Sequence, residues 1–210
     1  MSISNNVLNS DFDLKLPEIL EYFNEIYAAT GRFNGGCGSY LFDGQTYAYT
    51  DRYKQKQVLI YELAKTTKNV LEIGVYMGHS LAIMLAANNE LKATVVDTDG
   101  SLPAQAVELL KIKYPKSQIT FINSDSNAAM DNFTDEKFDL FHIDGDHNTS
   151  KVQQELDACK KFNDGDIIRV LFDDIEISGD SFASLFGDLT VLDKHLCSGF
   201  SPAGFYKVQL

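Results

Sequence analysis

Residues 69–80 read Asn-Val-Leu-Glu-Ile-Gly-Val-Tyr-Met-Gly-His-Ser, and the fold of the chain turns on how they are read. Val70 to Val75 is a short apolar run broken by Glu72 and then by Gly74, the pattern of a buried strand running into a turn. A helical pattern starts at once, from His79 to Leu85. Strand, glycine turn and helix together make a nucleotide-binding geometry, because glycine lets the backbone approach a ligand and a helix N-terminus offers unpaired N–H groups. A dinucleotide fingerprint G-x-G-x-x-G counted from Gly74 meets Gly74, Tyr76 and His79, so the middle glycine that admits a pyrophosphate is missing. An acid two residues before Gly74 also suits an amine-bearing ligand better than a pyrophosphate. The alternative is a buried strand, a turn and a core helix with Glu72 satisfied by backbone.

Outward from this stretch the pattern alternates. Strands are expected at Ala93–Val96, Gln118–Ile122, Phe138–Ile143 and Ile167–Phe172, with helices at Pro103–Tyr114 and Ser150–Phe162, the latter opened by a capping box, Ser150-x-x-Gln153. Alternating strands and helices imply a parallel sheet covered on both faces. Leu189–Leu192 and Gly204–Leu210 have no room for a helix between them and read as an antiparallel edge hairpin. Upstream, residues 1–13 read as a polar lead-in and Leu16–Tyr27 as a helix with Pro17 in its first turn. Gly31–Thr50, rich in Gly and Tyr, reads as a lid or as an irregular connection. Gln55–Lys65 is helical, with Glu62 free to face solvent. The expected division is an N-terminal helix and lid segment over residues 1–53 and a main domain over residues 54–210.

The chain has 210 residues and a net charge of -12, Lys+Arg 18 against Asp+Glu 30. That balance argues against nucleic acid and against an anionic membrane surface. No apolar run approaches the roughly 20 residues that span a bilayer. Residues 1–6 lack a signal-peptide pattern, and Cys37, Cys159 and Cys197 have no zinc spacing. They read as reduced thiols of a cytoplasmic protein.

One regularity points to a site. Glu72, Asp97, Asp144 and the pair Asp173-Asp174 lie in or at the ends of four strands. In an open parallel sheet the ligand crevice lies outside the carboxyl ends of the strands, so these acids should meet. Taken singly, each is as readily a cap or turn residue.

Val70–Ser80, Phe141-His-Ile-Asp-Gly-Asp-His147 and Phe172-Asp-Asp174 together resemble the motifs of class I S-adenosylmethionine-dependent methyltransferases. Within these the chain is most similar to the small metal-dependent O-methyltransferases, the catechol and caffeoyl-CoA type and their bacterial macrolide-sugar relatives. The resemblance runs from about Lys54 to the C-terminus. It implies an α/β fold, Rossmann-like and doubly wound: a mostly parallel seven-stranded sheet with an antiparallel C-terminal edge hairpin and helices on both faces. It also implies divalent-metal-dependent methyl transfer from S-adenosylmethionine to a hydroxyl of a small-molecule acceptor. Glu72 would sit near the amino-acid end of that cofactor, with Gly74 and Val75 in the turn beneath it and Ser80 adding a hydroxyl. Asp97 would take the ribose hydroxyls from the crevice, so that Asp97→Ala should weaken binding with little loss of stability. Asp125 and Ser126 would meet the adenine, and Asp146 would approach from the other side. Thr50 is a further candidate contact.

The same resemblance makes Asp144, Asp173 and Asp174 the ligands of a divalent ion, Mg2+ by their all-oxygen character. It makes His147, standing where catechol-type relatives have a lysine, the base that takes the hydroxyl proton, with Asp144 also catalytic. His142 reads as structural. Two departures are Asn163-Asp-Gly-Asp166 in place of a Pro-Gly-Gly turn, and Arg169 inside a strand, expected to snorkel or to pair with an acid. The competing readings are a metal-independent methyltransferase, a non-catalytic cofactor-binding domain and a nicotinamide dehydrogenase, the last weakened by the missing glycine. A homodimer and the identity of the acceptor stay open.

Overall fold

The strand at the centre is the one that the sequence places there. In the computed structural model, which describes residues 3–8, 10–30, 40–41, 48–174, 185–197 and 203–210, β1 (Asn69–Ile73) is buried over its last four residues. Val70 faces one hydrophobic cluster, and Leu71 and Ile73 face a second on the other side of the sheet. A strand covered on both faces needs the near-continuous apolar run seen here.

Parallel strands β2 (Lys92–Asp97) and β3 (Gln118–Asn123) extend the sheet on one side of β1, and β4 (Leu140–Ile143) and β5 (Ile167–Asp173) on the other. Two antiparallel strands, β6 (Thr190–Cys197) and β7 (Ala203–Gln209), close that second side, giving the order β3-β2-β1-β4-β5-β7-β6. The fold class expected from the sequence is the one observed. The order reverses direction between β1 and β4, and at such a switch point the loops leaving two adjacent parallel strands part and open a crevice.

Helices α1 (Ile3–Leu8), α2 (Phe12–Thr30), α3 (Lys54–Ala64), α4 (His79–Ala87) and α5 (Leu102–Lys113) contribute to the first cluster. The short α6 (Ser126–Met130) and α7 (Thr149–Phe162) contribute to the second. No helix among the described residues is long and apolar enough to cross a membrane.

Three local expectations are corrected. The described residues of 1–13 are not a polar lead-in: α1 lies against β6, where the Ile3 N–H donates to Asp193 and the Ser4 hydroxyl meets His195. Phe12, 1% exposed, packs edge-on against Tyr61. Glu62 does not face solvent; it is buried and accepts from the Ser10 hydroxyl at 2.6 Å. The cap of α7 is Asn148, which accepts from the Ser150 N–H at 3.0 Å, two residues ahead of the expected capping box.

Arg169 has a clear partner set. Its guanidinium donates to the Leu63 carbonyl at 3.1 Å and to the Thr66 hydroxyl at 3.2 Å. It thereby satisfies a carbonyl at the C-terminal end of α3, where a cation is favoured. Of residues 31–50, only Tyr40, Leu41 and residues 48–50 are described, so the lid reading falls largely outside the described residues.

Candidate active site

The turn after β1 is shaped by what lies beside it. Gly74 has φ +88°, and a Cβ built there would stand 2.1 Å from the carbonyl oxygen of Asp144. Without that side chain the ends of β1 and β4 come together, with the Asp144 N–H donating to the Ile73 carbonyl at 2.8 Å. Asp97, at the end of β2, holds the turn from the other side. Its Oδ2 accepts from the N–H groups of Val75 at 2.8 Å and Tyr76 at 3.0 Å, and its Oδ1 from Asp99 N–H at 2.9 Å.

Asp97 is therefore structural whatever else it does. Its truncation orphans three backbone donors, and the sequence-based expectation of little stability loss gives way to a larger one. Asp97→Ala is expected to lower unfolding free energy by about 2 kcal/mol, read by urea denaturation, as well as to weaken cofactor binding.

Beneath the turn runs a buried polar chain. Glu72 and His142 are 0% and 1% exposed. Glu72 Oε1 accepts from the Ser80 hydroxyl and lies 2.9 Å from His142 Nδ1, while its Oε2 is buried with no partner among the described residues. His142 Nε2 lies 3.1 Å from the Tyr40 hydroxyl, which is 2.7 Å from both Asp144 Oδ2 and Asp173 Oδ2. Lys56 ends the chain, its Nζ 2.6 Å from Asp173 Oδ1 and 4.3 Å over the Tyr40 ring. His79 takes no part as a charge. Burial pushes it down to about 3, and its Nδ1 accepts from the Tyr40 N–H.

A hydroxyl has one proton to give, so Tyr40 serves the two carboxyls only by sharing it. A proton on one carboxyl relieves this, and Asp144 is the one whose surroundings favour it. Burial, followed by the neighbouring charge of Asp173, pushes its carboxyl well above the usual range, against the opposing pull of Lys56 and Tyr40. A carboxyl raised in the folded state binds more protons folded than unfolded, so stability falls as pH rises from the unfolded value of about 3.9 through the folded one. In EDTA, Asp144→Asn is expected to melt higher than wild type at neutral pH and to converge with it near pH 4, about the unfolded value. Thermal melts across that range check it.

Toward the surface, ligand atoms of Asp144, His147 and Asp174 lie within 4.8 Å of one another, with His147 Nε2 3.7 Å from Asp174 Oδ2. The structure thus groups Asp144 and Asp174 with His147, and turns Asp173 inward to Lys56 and Tyr40. Asp146 is exposed and accepts from the Asn148 N–H at 2.8 Å.

At the far end of the crevice Asp125 caps α6, accepting from the Asn127 and Ala128 N–H groups, and pairs with Lys151 at 2.7 Å. The Lys151 ammonium, helped by these backbone donors, holds its carboxyl below the ordinary value. Ser126 is buried and donates to Glu155, whose own carboxyl burial pushes up. Thr50 caps the 3-10 turn Asp51–Tyr53.

Sequence reasoning missed Tyr40 and Lys56. Lys56 had a signal, since it lies in helical phase with Leu59, Ile60 and Leu63 on the apolar face of α3. Tyr40 had none.

The family model described as a methyltransferase domain matches residues 71–175, half of the 210 residues, and the match runs from β1 through the end of β5. The chain belongs to that family. An 85-residue stretch of this methyltransferase-family chain, 39% of its length, is 33% identical to an Arabidopsis thaliana protein named for caffeoyl-CoA O-methyltransferase. That stretch spans 37% of the Arabidopsis protein. The fold is shared with the O-methyltransferase from Bacillus cereus in complex with SAH, at 15% identity and a TM-score of 0.61 over 92% of this chain and 91% of that one. TomG from Streptomyces achromogenes, an O-methyltransferase involved in tomaymycin synthesis and solved with SAM, matches at 15% identity and TM-score 0.61 over 92% and 90%.

Proposed function

We propose that this chain transfers a methyl group from S-adenosylmethionine to a hydroxyl oxygen of a small molecule. The observation that carries the reading is the fully buried Oε2 of Glu72, without a partner among the described residues, in the strand that feeds the glycine turn at the switch point. A buried anionic oxygen without a donor is costly, and the ammonium of an amino-acid moiety would satisfy it. A nicotinamide dinucleotide brings no such group to this position. The relatives named for O-methyl transfer, and those solved with SAM or SAH, support the same assignment.

When bound, the cofactor supplies an electrophilic methyl carbon on a sulfonium. The chain would do the rest. Gly74 and Val75 line the turn against the ligand, and Ser80 keeps Glu72 oriented from below. Asp97, with two backbone donors already on Oδ2 and one on Oδ1, has acceptor capacity left on Oδ1 for a ribose hydroxyl. Asp125 and Ser126 frame the adenine end, as walls more than as acceptors, because their polar atoms are already engaged by a cap, Lys151 and Glu155. Asp146 would approach from the opposite side. His147 takes the acceptor's hydroxyl proton at a ring nitrogen as oxygen attacks carbon and the carbon–sulfur bond breaks. Asp174, 3.7 Å from Nε2, stabilises the resulting imidazolium.

A Mg2+ ion on Asp144, Asp173 and Asp174 does not fit the residues as they stand, since Asp173 has Lys56 on one oxygen and the Tyr40 hydroxyl on the other. No step is routed through that ion. A second reading, favoured by the close approach of Asp144, His147 and Asp174, keeps a divalent ion on that mixed set.

The acceptor is read as small because the net charge of -12 and the acids at the crevice repel polyanions. A cytoplasmic setting is in keeping with two described cysteines, Cys159 and Cys197, both free and buried.

The test is transfer of labelled methyl from S-adenosylmethionine to catechols and hydroxylated sugars, with and without EDTA. Label on an acceptor oxygen, unchanged by chelation, is the expected result. Loss of transfer on chelation selects the second reading, and label on nitrogen alone overturns the assignment to oxygen.

A further inference from the structure

Asp173 and Lys56 form an ion pair in which both residues are almost wholly buried, 5% and 2% exposed. Burying two charges is unfavourable unless each is well paired, and removing one partner leaves the other stranded. Here the pairing is close on every side. Nζ sits 2.6 Å from Oδ1, 4.3 Å over the Tyr40 ring and 5.8 Å from the Tyr53 ring, so the ammonium has a carboxylate and aromatic faces around it. The other oxygen of Asp173 is 2.7 Å from the Tyr40 hydroxyl, which also spans to Asp144.

A divalent ion bonded to an Asp173 oxygen would stand about 2.0–2.6 Å from it, in the space that Nζ or the Tyr40 hydroxyl fills. It would also share one carboxylate with a second positive charge. Lys56 cannot readily retreat, because the helix face it shares with Leu59, Ile60 and Leu63 is packed into the core.

We propose that Lys56 is the resident cation of this site: it withholds Asp173 from metal, and the Asp144–Tyr40–Asp173 bridge is assembled without a divalent ion. Lys56 is then a positioning residue, and any ion that binds the site does so through Asp144, His147 and Asp174. The inference concerns the site of the proposed function and uses that reading only for its location. It stands on the buried pair and the bridged carboxyls.

The probe is Mn2+, titrated into the full chain and read as free ion by electron paramagnetic resonance, with circular dichroism as the check on folding. Asp173→Asn, which keeps hydrogen-bonding partners for Lys56 and Tyr40, is expected to leave the Mn2+ dissociation constant within about twofold of wild type. Lys56→Gln frees Asp173 for metal and is expected to tighten Mn2+ binding by about tenfold or more, a factor of ten being about 1.4 kcal/mol. Lys56→Arg, which keeps the charge, should match wild type.

Weakening of about tenfold in Asp173→Asn would make Asp173 a metal ligand and overturn the proposal, as would a folded Lys56→Gln that binds Mn2+ no better than wild type. Should Lys56→Gln fail to fold, the Asp173→Asn titration decides alone. S-adenosylhomocysteine titrated into the same samples reports on the cofactor site separately, so failure of the methyl-transfer reading leaves a different signature from failure of this one.

Discussion

Gly74→Ala is expected to destabilise the chain by roughly 3 kcal/mol or more and to abolish cofactor binding at the turn. Two costs add. At φ +88° an L side chain is strained against its own backbone, by about 1–2 kcal/mol. The new methyl would then overlap the Asp144 carbonyl oxygen, at 2.1 Å, and its carbonyl carbon, at 2.7 Å. Those atoms are backbone and cannot swing aside. Relief requires β4 to move off β1, breaking the bond from the Asp144 N–H to the Ile73 carbonyl, and overpacking of this kind adds about 1–3 kcal/mol.

Gly165→Ala is the internal control. Its φ is +97°, but a Cβ there meets nothing within 4 Å, so it should lose only the backbone share, about 1–2 kcal/mol. Urea denaturation of both variants separates the two costs. Equal, small losses would mean that the close approach of the two strands is not what the glycine is for.

His147→Ala is expected to lower kcat by roughly a factor of 10²–10⁴ while leaving the affinity for S-adenosylhomocysteine near that of wild type. The imidazole lies in the outer part of the site, beside Asp144 and Asp174, and apart from the Glu72 and Asp97 end of the crevice. Its removal takes away the group assigned to the hydroxyl proton without disturbing the glycine turn. Single-turnover transfer and calorimetric binding on the same variant check it. A fall in affinity with little change in kcat would make His147 a binding residue and move the base elsewhere.

Much of this architecture was legible in the residues because it rests on local periodicity. β1 shows as an apolar run closed by glycine, and the parallel strands show because each is short, apolar and ended by a polar turn. The acids at the strand ends were readable for the same reason, since the carboxyl ends of parallel strands share one edge of the sheet. Their side chains were less readable. Asp125 caps a five-residue helix too short to leave a pattern, and Asp97 spends itself on backbone donors more than twenty positions upstream.

What periodicity cannot show is pairing across long separations. Lys56 and Asp173 are 117 positions apart, and nothing near either announces the other. Tyr40 reaches Asp144 and Asp173 over comparable separations. Glu62 looked solvent-bound because its partner, the half-buried Ser10, lies in a stretch, residues 1–13, rich in Asn, Ser and Asp. At α7, Asn148 and Ser150 are both competent caps, and Gln153, which would have completed a box with Ser150, donates instead to Asp157 at 3.1 Å.

The central claim is that the crevice at the β1–β4 switch point is built for an amino-acid-bearing adenosyl ligand, with Glu72 receiving its ammonium. Isothermal titration of the chain with S-adenosylhomocysteine and, separately, with NAD tests this most directly. The account predicts saturable binding of S-adenosylhomocysteine, weakened by about tenfold or more in Glu72→Gln because a charge-assisted bond of about 1.5–3 kcal/mol is lost, and no binding of NAD. Binding of NAD with none of S-adenosylhomocysteine, or an affinity indifferent to Glu72→Gln, would contradict it.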